Sequence, residues 1–193
     1  FYPAVRTVAG MIASGKLGAI TTIAVDFRKY ANASAKPGNK HYALDHPMLS
    51  DMAIHHYDLL RLVAGVKPVD VYCRTTNPSW SRFDGPPAAF GVITFENGVT
   101  ASYRGSWISH QKDTSWAGTW SIECEKGAIT WESRGNENGT DDRVSITKTG
   151  EEPAQVPLKK VKYLDRAGSL NAFVRATKSG EEPECSGGDN IGT

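Results

Sequence analysis

Apolar residues recur along this chain with two periods, and each change of period marks a new element. Near the start, "AVRTVAGMIASGKLGAI" carries Val5, Val8, Ala9 and Ile12 at helical spacing, with Gly15 as a stop. From 19 to 30, "AITTIAVDFRKY" turns to a period of two, rich in β-branched residues, with Ile23, Val25 and Phe27 on one face. A second helical stretch, 48–65, ends at Gly65 and gives way to a strand over 69–75. Strands over 88–95 and 99–107 meet at Glu96-Asn97-Gly98, a hairpin signal because Asn-Gly accepts positive φ at low cost. "GTWSIEC" and "GAITWES" form another hairpin about Glu125-Lys126-Gly127. A strand over 143–150 and a late helix over 169–182, ended near Gly180, complete the pattern. Strands in hairpin succession with few helices predict an α+β domain, an open, mixed and mainly antiparallel sheet with helices packed on one face. The irregular stretch 32–47 is of a length that often lines a functional site.

The helix over 48–65, "MLSDMAIHHYDLLRLVAG", holds more titratable groups than core filling requires. At 100° per residue, Leu49, Met52, Leu59, Leu60 and Val63 gather on one side. Asp51, His55 and Asp58 follow at i, i+4 and i+7 and form a separate stripe, whereas His56 points near the apolar side. Three readings fit these residue types. The stripe is a solvated face carrying a carboxylate–imidazole pair. Or it is part of a metal site, which in the absence of H-E-x-x-H needs His41 or His46 from the preceding loop. Or it is an acid–base pair, because imidazole titrates near neutrality and a neighbouring carboxylate orients it and raises its pKa. Spacing alone does not choose among them. His56 is expected at the edge of the core, Asp58 as a loop anchor, and His110 as a polar loop residue.

Charge narrows the partners. The 22 basic residues balance 21 acidic ones, so nothing points to nucleic acid or an anionic membrane. No apolar run approaches the roughly 18 residues that span a bilayer. "FYPAVRTVAG" lacks the regions of a signal peptide. Cys73, Cys124 and Cys185 are scattered without C-x-x-C spacing, which argues against a disulfide framework or structural zinc and makes the cytoplasm the default location. Both ends read as cut, and the chain is expected to be a piece of a longer protein. Neither G-x-G-x-x-G nor G-x-x-x-x-G-K-[ST] occurs, so a phosphate-cradling loop is not recognisable.

The stretch "SDMAIHHYDLLRLVAG" resembles the signature of the Gfo/Idh/MocA family, the relatives of glucose–fructose oxidoreductase and inositol dehydrogenase. That signature is a D-x-G-x-H-x-x-D-L helix, then a glycine and a strand near Pro-x-x-V. Here it reads Asp51, His55, Asp58, Leu59, Gly65 and Pro68-Val69-Asp70-Val71. "IASGKLGAITTIAVDF", "FENGVTASYRGSW" and "SGEEPECSGGDN" are similar to further family segments in the same order. Ala53 replaces the usual glycine, and "HPMLS" replaces glycines that often precede the motif.

The resemblance implies that residues 1–193 are a C-terminal substrate-binding and oligomerisation domain of the glyceraldehyde-3-phosphate dehydrogenase-like kind, with six to nine strands. An N-terminal Rossmann domain that binds NAD or NADP would lie outside this chain. It also implies oxidation or reduction of a CH–OH group of a sugar, inositol or related polyol. His55 would be the general acid–base and Asp51 the assisting carboxylate; the partnering lysine of an E-K-P motif belongs to the absent domain. Arg28, Tyr30, His41 and Trp107 are candidates for substrate contact. The fragment alone is expected to be inactive, and the intact protein to be a homodimer or homotetramer paired through the open sheet face. The alternative is a non-catalytic, sugar-binding or structural dimerisation module of the same fold.

Overall fold

The period-two alternation carries eight strands into a single sheet. The computed structural model describes residues 1–32, 39–136, 138–184 and 186–193, with the side chain of His41 outside that set. In chain order the elements are α1 (Pro3–Ala13), β1 (Ile20–Arg28), α2 (Ile54–Ala64), β2 (Pro68–Thr76), β3 (Ala88–Phe95), β4 (Thr100–Ser106), β5 (Thr119–Cys124), β6 (Gly127–Glu132), β7 (Arg143–Lys148), β8 (Ala154–Gln155), α3 (Asp165–Ser179) and α4 (Gly187–Asn190). Spatial order is β2-β3-β4-β1-β5-β6-β7-β8. Strand β1 lies parallel to β4 and antiparallel to β5, with Val25 opposite Tyr103 and Trp120; the other neighbours are antiparallel. This is the mixed, mainly antiparallel α+β sheet that the pattern predicts.

The two faces separate by residue parity. Ile23, Val25 and Phe27 of β1, with Ala101 and Tyr103 of β4 and Trp120 and Ile122 of β5, are buried on the side that α2 covers. Their neighbours Ala24, Ser102 and Arg104 are exposed on the other side, as are Tyr72, Phe90 and Val92. Side chains of successive strand residues project to opposite faces, so each strand serves a core and an open surface at once.

The strands and hairpins follow the sequence reading closely; three features depart from it. The helix over 48–65 opens as a π-helical turn, Met48–Ala53, before α2 begins. That wider turn resets the phase of the wheel. Leu49 and Leu59 are therefore only half-buried, while Ala53, His56 and Ala64 join Met52, Leu60 and Val63 in the core. The late helix starts at Asp165 rather than 169. The two-residue strand β8 carries too little pattern to be read. Gly65, with φ of 68°, closes α2 in the left-handed region, its N–H bonded to the Arg61 carbonyl at 2.9 Å. Within 32–47, Lys40–Tyr42 form a 3-10 turn; 33–38 lie outside the described residues, as does Cys185.

A buried carboxylate ties the ends of the domain together. Asp142, before β7, accepts the Ala4 N–H at 2.9 Å, the Ser133 hydroxyl at 2.9 Å and the Arg134 N–H at 3.0 Å. Ala4 is in the first turn of α1, where N–H groups have no partner inside the helix, so Asp142 caps α1 from the far end of the sequence.

Candidate active site

Asp51 and His55 lie on successive turns, one in the π turn and one in α2, and each opens on a different cleft. Asp51 lines a wider cleft of about 500 Å³ together with Phe27, Tyr42, Trp107 and Asp113. His55 lines a narrower one of about 260 Å³ with Asp58, Trp131, Asp165 and Glu184. Trp116 and Arg134 belong to both walls. The Arg134 guanidinium carbon sits 3.5 Å from the centroid of the Trp116 ring, and the His55 ring 4.9 Å from it. A cation on an indole face is favourable in itself, so this stack fixes both walls.

His55 is exposed at one edge and leans on Trp116 with the other. Desolvation by this packing, and then the Arg134 charge, lower its pKa from the usual imidazole value, while Asp51 and Asp58 pull it upward. The net result is a neutral imidazole at neutral pH, with a carboxylate near enough to stabilise the protonated form.

Its neighbour His56 has the opposite environment. It is fully buried, not at the core edge, and both ring nitrogens are engaged. Nε2 lies 3.1 Å from the Trp116 carbonyl and Nδ1 2.9 Å from the Tyr103 hydroxyl. A carbonyl only accepts, so Nε2 carries the proton and Nδ1 accepts from Tyr103. Burial pushes the His56 pKa down to about 4 and raises that of Tyr103. This neutral pair leaves His56 no free atom, and it anchors the Trp116 backbone beneath His55.

Placement of the remaining candidates is uneven. Trp107 is buried, stacks on Phe83 with centroids 5.7 Å apart, and lines the wider cleft with Asp51. Arg28 is not brought to either cleft. It follows Phe27, which packs on His56, and so projects from the opposite face, pairing with Asp26 at 3.2 Å and with Gln111. Tyr30 stacks on His110 with centroids 4.8 Å apart, and lines neither cleft. His41 belongs to the Lys40–Tyr42 turn; its side chain is outside the described residues. Asp58 pairs with Arg61 at 4.0 Å, and Arg61 holds Asp189 at 3.1 Å, so the pair fastens the C-terminal segment to α2. Desolvation, first among several influences, raises the Asp58 pKa. Among the described residues, no three His, Cys, Asp or Glu side chains converge as metal ligands, and no helix is long and apolar enough to cross a membrane.

Residues 5–130, well over half of the chain, match the GFO/IDH/MocA C-terminal domain. The chain belongs to the Gfo/Idh/MocA family. Uncharacterized protein y4oX of Sinorhizobium fredii (strain NBRC 101917 / NGR234) is 29% identical over 133 residues, 66% of this chain and 36% of that protein. The aldose–aldose oxidoreductase of Caulobacter crescentus, solved with glycerol, superposes with a TM-score of 0.84 at 16% identity, over 100% of this chain and 55% of its own. An inositol dehydrogenase homolog from Azotobacter vinelandii, solved with NADH and myo-inositol, gives 0.66 at 15% identity, over 85% of this chain and 41% of its own. These likenesses establish the Gfo/Idh/MocA C-terminal fold, and the chain spans between about a third and just over half of each relative's length.

Sequence reasoning missed Trp116, Trp131 and Arg134. Trp116 precedes β5 and Arg134 follows β6, so the β5–β6 hairpin brings together two residues that no linear spacing relates. One signal was available: the Glu125-Lys126 turn centres that hairpin, so pairing outward from Cys124 and Gly127 sets its two outer ends side by side.

Proposed function

We propose that this domain is the substrate-binding and catalytic half of an NAD(P)-dependent oxidoreductase acting on a CH–OH group of a sugar, inositol or related polyol. The observation that carries the reading is His55, neutral and cleft-facing, one turn from Asp51 in a chain of this family. In the oxidative direction His55 takes the proton of the substrate hydroxyl as the carbinol hydrogen leaves. Asp51 and Asp58 stabilise the imidazolium so formed, and Trp116 shields one side of the ring from water. In the reductive direction the same imidazolium returns the proton. A nicotinamide cofactor, when bound, would supply the acceptor or donor for the hydride. We assign none of these residues to the dinucleotide, because the chain has no glycine fingerprint. A Rossmann domain elsewhere in the longer protein would supply the cofactor and the lysine, which makes this domain alone inactive. The NADH and myo-inositol of the Azotobacter relative, and the glycerol of the Caulobacter one, support this substrate class.

Pairing into a homodimer or homotetramer through the open face belongs to the same proposal. Tyr72, Phe90 and Val92 are 57%, 47% and 44% exposed there, an apolar patch of the kind that marks an interface. The cytoplasm fits the scattered thiols, of which Cys73 and Cys124 are free. The test is His55→Ala in the intact protein, assayed for NAD(P) reduction across a polyol and sugar library. Turnover should fall by about 10²–10⁴-fold with cofactor affinity retained; unchanged turnover removes His55 from the mechanism.

A further inference from the structure

Two residues that line the narrow cleft carry hydrogen-bond donors without an acceptor among the described residues. Trp131 is 2% exposed, and its indole N–H has no partner among the described residues. A buried donor left unsatisfied has given up its bonds to water for nothing, so such groups are uncommon without a reason. Arg134 is the second. Its nearest carboxylate, Asp165, lies 3.9 Å away, beyond hydrogen-bonding distance. The other guanidinium groups nearby are engaged: Arg6 with Glu184, and Arg61 with Asp189 at 3.1 Å and the Thr193 hydroxyl at 2.7 Å.

The backbone singles out the same pair. Arg134 has φ of 64° and Asp165 φ of 46°, and among the described residues these are the non-glycine positions with positive φ. Glycine would adopt that conformation without strain, and large side chains held in it cluster at ligand sites. Asp142 and the Trp116 stack hold the Arg134 corner in place. Residue 134 also lies beyond the span that matches the family domain, so family membership does not dictate its identity.

We propose that the narrow cleft beside His55 is a carboxylate subsite, with Arg134 and the Trp131 N–H as donors, and that the substrate is a polyhydroxy carboxylate such as a uronate. The proposal deepens the reading above, because it rests on His55 meeting the reacting hydroxyl. A guanidinium fork matches the planar carboxylate, and a ligand oxygen would satisfy the orphan indole. Three acidic residues line the cleft: Glu184 is already bound to Arg6, Asp58 stands 4.0 Å from Arg61 and Asp165 3.9 Å from Arg134, and the ligand takes the place of Asp165 on Arg134.

The test is calorimetric binding of D-galacturonate and D-glucuronate, against D-galactose and D-glucose, to the full-length protein. At least one acid should bind tenfold or more tightly than its neutral counterpart. Arg134→Gln should erase that preference and Arg134→Lys keep part of it. Trp131→Phe, which retains the stacked packing on Trp120, should weaken the acid several-fold more than it weakens the neutral sugar. Arg134→Gly, free of backbone strain, guards against a folding artefact and should behave as Arg134→Gln. Equal binding of acid and neutral sugar, no binding of either acid, or tighter binding of D-galactose 6-phosphate than of D-galacturonate would each overturn the proposal. Its failure is separable from that of the oxidoreductase reading. NAD(P) reduction with neutral polyols and no acid preference sinks only the subsite; Arg134-dependent uronate binding without turnover sinks only the catalysis.

Discussion

The two sides of α2 make opposite use of the same side chain. On the core side, His56 spends both nitrogens on Tyr103 and Trp116 and is sealed from water. On the cleft side, His55 touches the Trp116 ring and faces open space flanked by Arg134 and Asp58. A histidine whose polar atoms are all committed stabilises a fold, and one whose atoms are left over is available for proton transfer. Trp116 joins the two sides, its carbonyl serving one histidine and its ring the other.

Exchanging the two residues for alanine is the strongest way to break that comparison. His56→Ala opens a cavity and orphans the Trp116 carbonyl and the Tyr103 hydroxyl, and should cost about 3 kcal/mol or more of stability. His55→Ala should cost no more than about 1 kcal/mol. Denaturant unfolding of the two variants measures both. Acid gives a subtler version. The folded pKa of His56, about 4, lies below its unfolded value of 6.5. The resulting stability is complete above pH 6.5 and is lost as pH falls toward 4, roughly 3 kcal/mol in all. Unfolding midpoints followed across that window should show the loss, and His56→Gln should flatten the dependence. Tyr103→Phe leaves Nδ1 without its donor and should cost about 1–2 kcal/mol, with turnover in the intact protein little changed. The finest test is NMR titration of His55: Arg134→Gln should raise its pKa and Asp51→Asn should lower it. Shifts of the same sign would contradict the electrostatic account.

What the sequence disclosed depended on how local each signal is. The alternation in 19–30, the Asn97-Gly98 turn and the Gly65 stop are written within a few residues of where they act. The pairing of β1 with β4 unites residues far apart in sequence, and β8 is too short to show a period. Asp51 and His55 were legible because one helix carries them. Arg28 lies outside both clefts, and its neighbour shows why: Phe27 faces the core, so residue 28 faces away. Trp116, Trp131 and Arg134 come from a hairpin remote from α2, and no residue type announces an arginine in the left-handed region.

The Asp142 carboxylate has a consequence for how the domain is held together. One oxygen receives the first turn of α1, and the other receives the corner that carries Arg134. The first turn of α1 therefore takes its cap from a residue 138 positions further along the chain. The two regions are held as by a clasp, and the latch is the corner that carries Arg134 to the wall of the cleft His55 lines. A chain shortened to the family-matched span, residues 5–130, would lose Ala4 and Asp142 together, and with them Arg134 from the wall of the cleft that His55 lines.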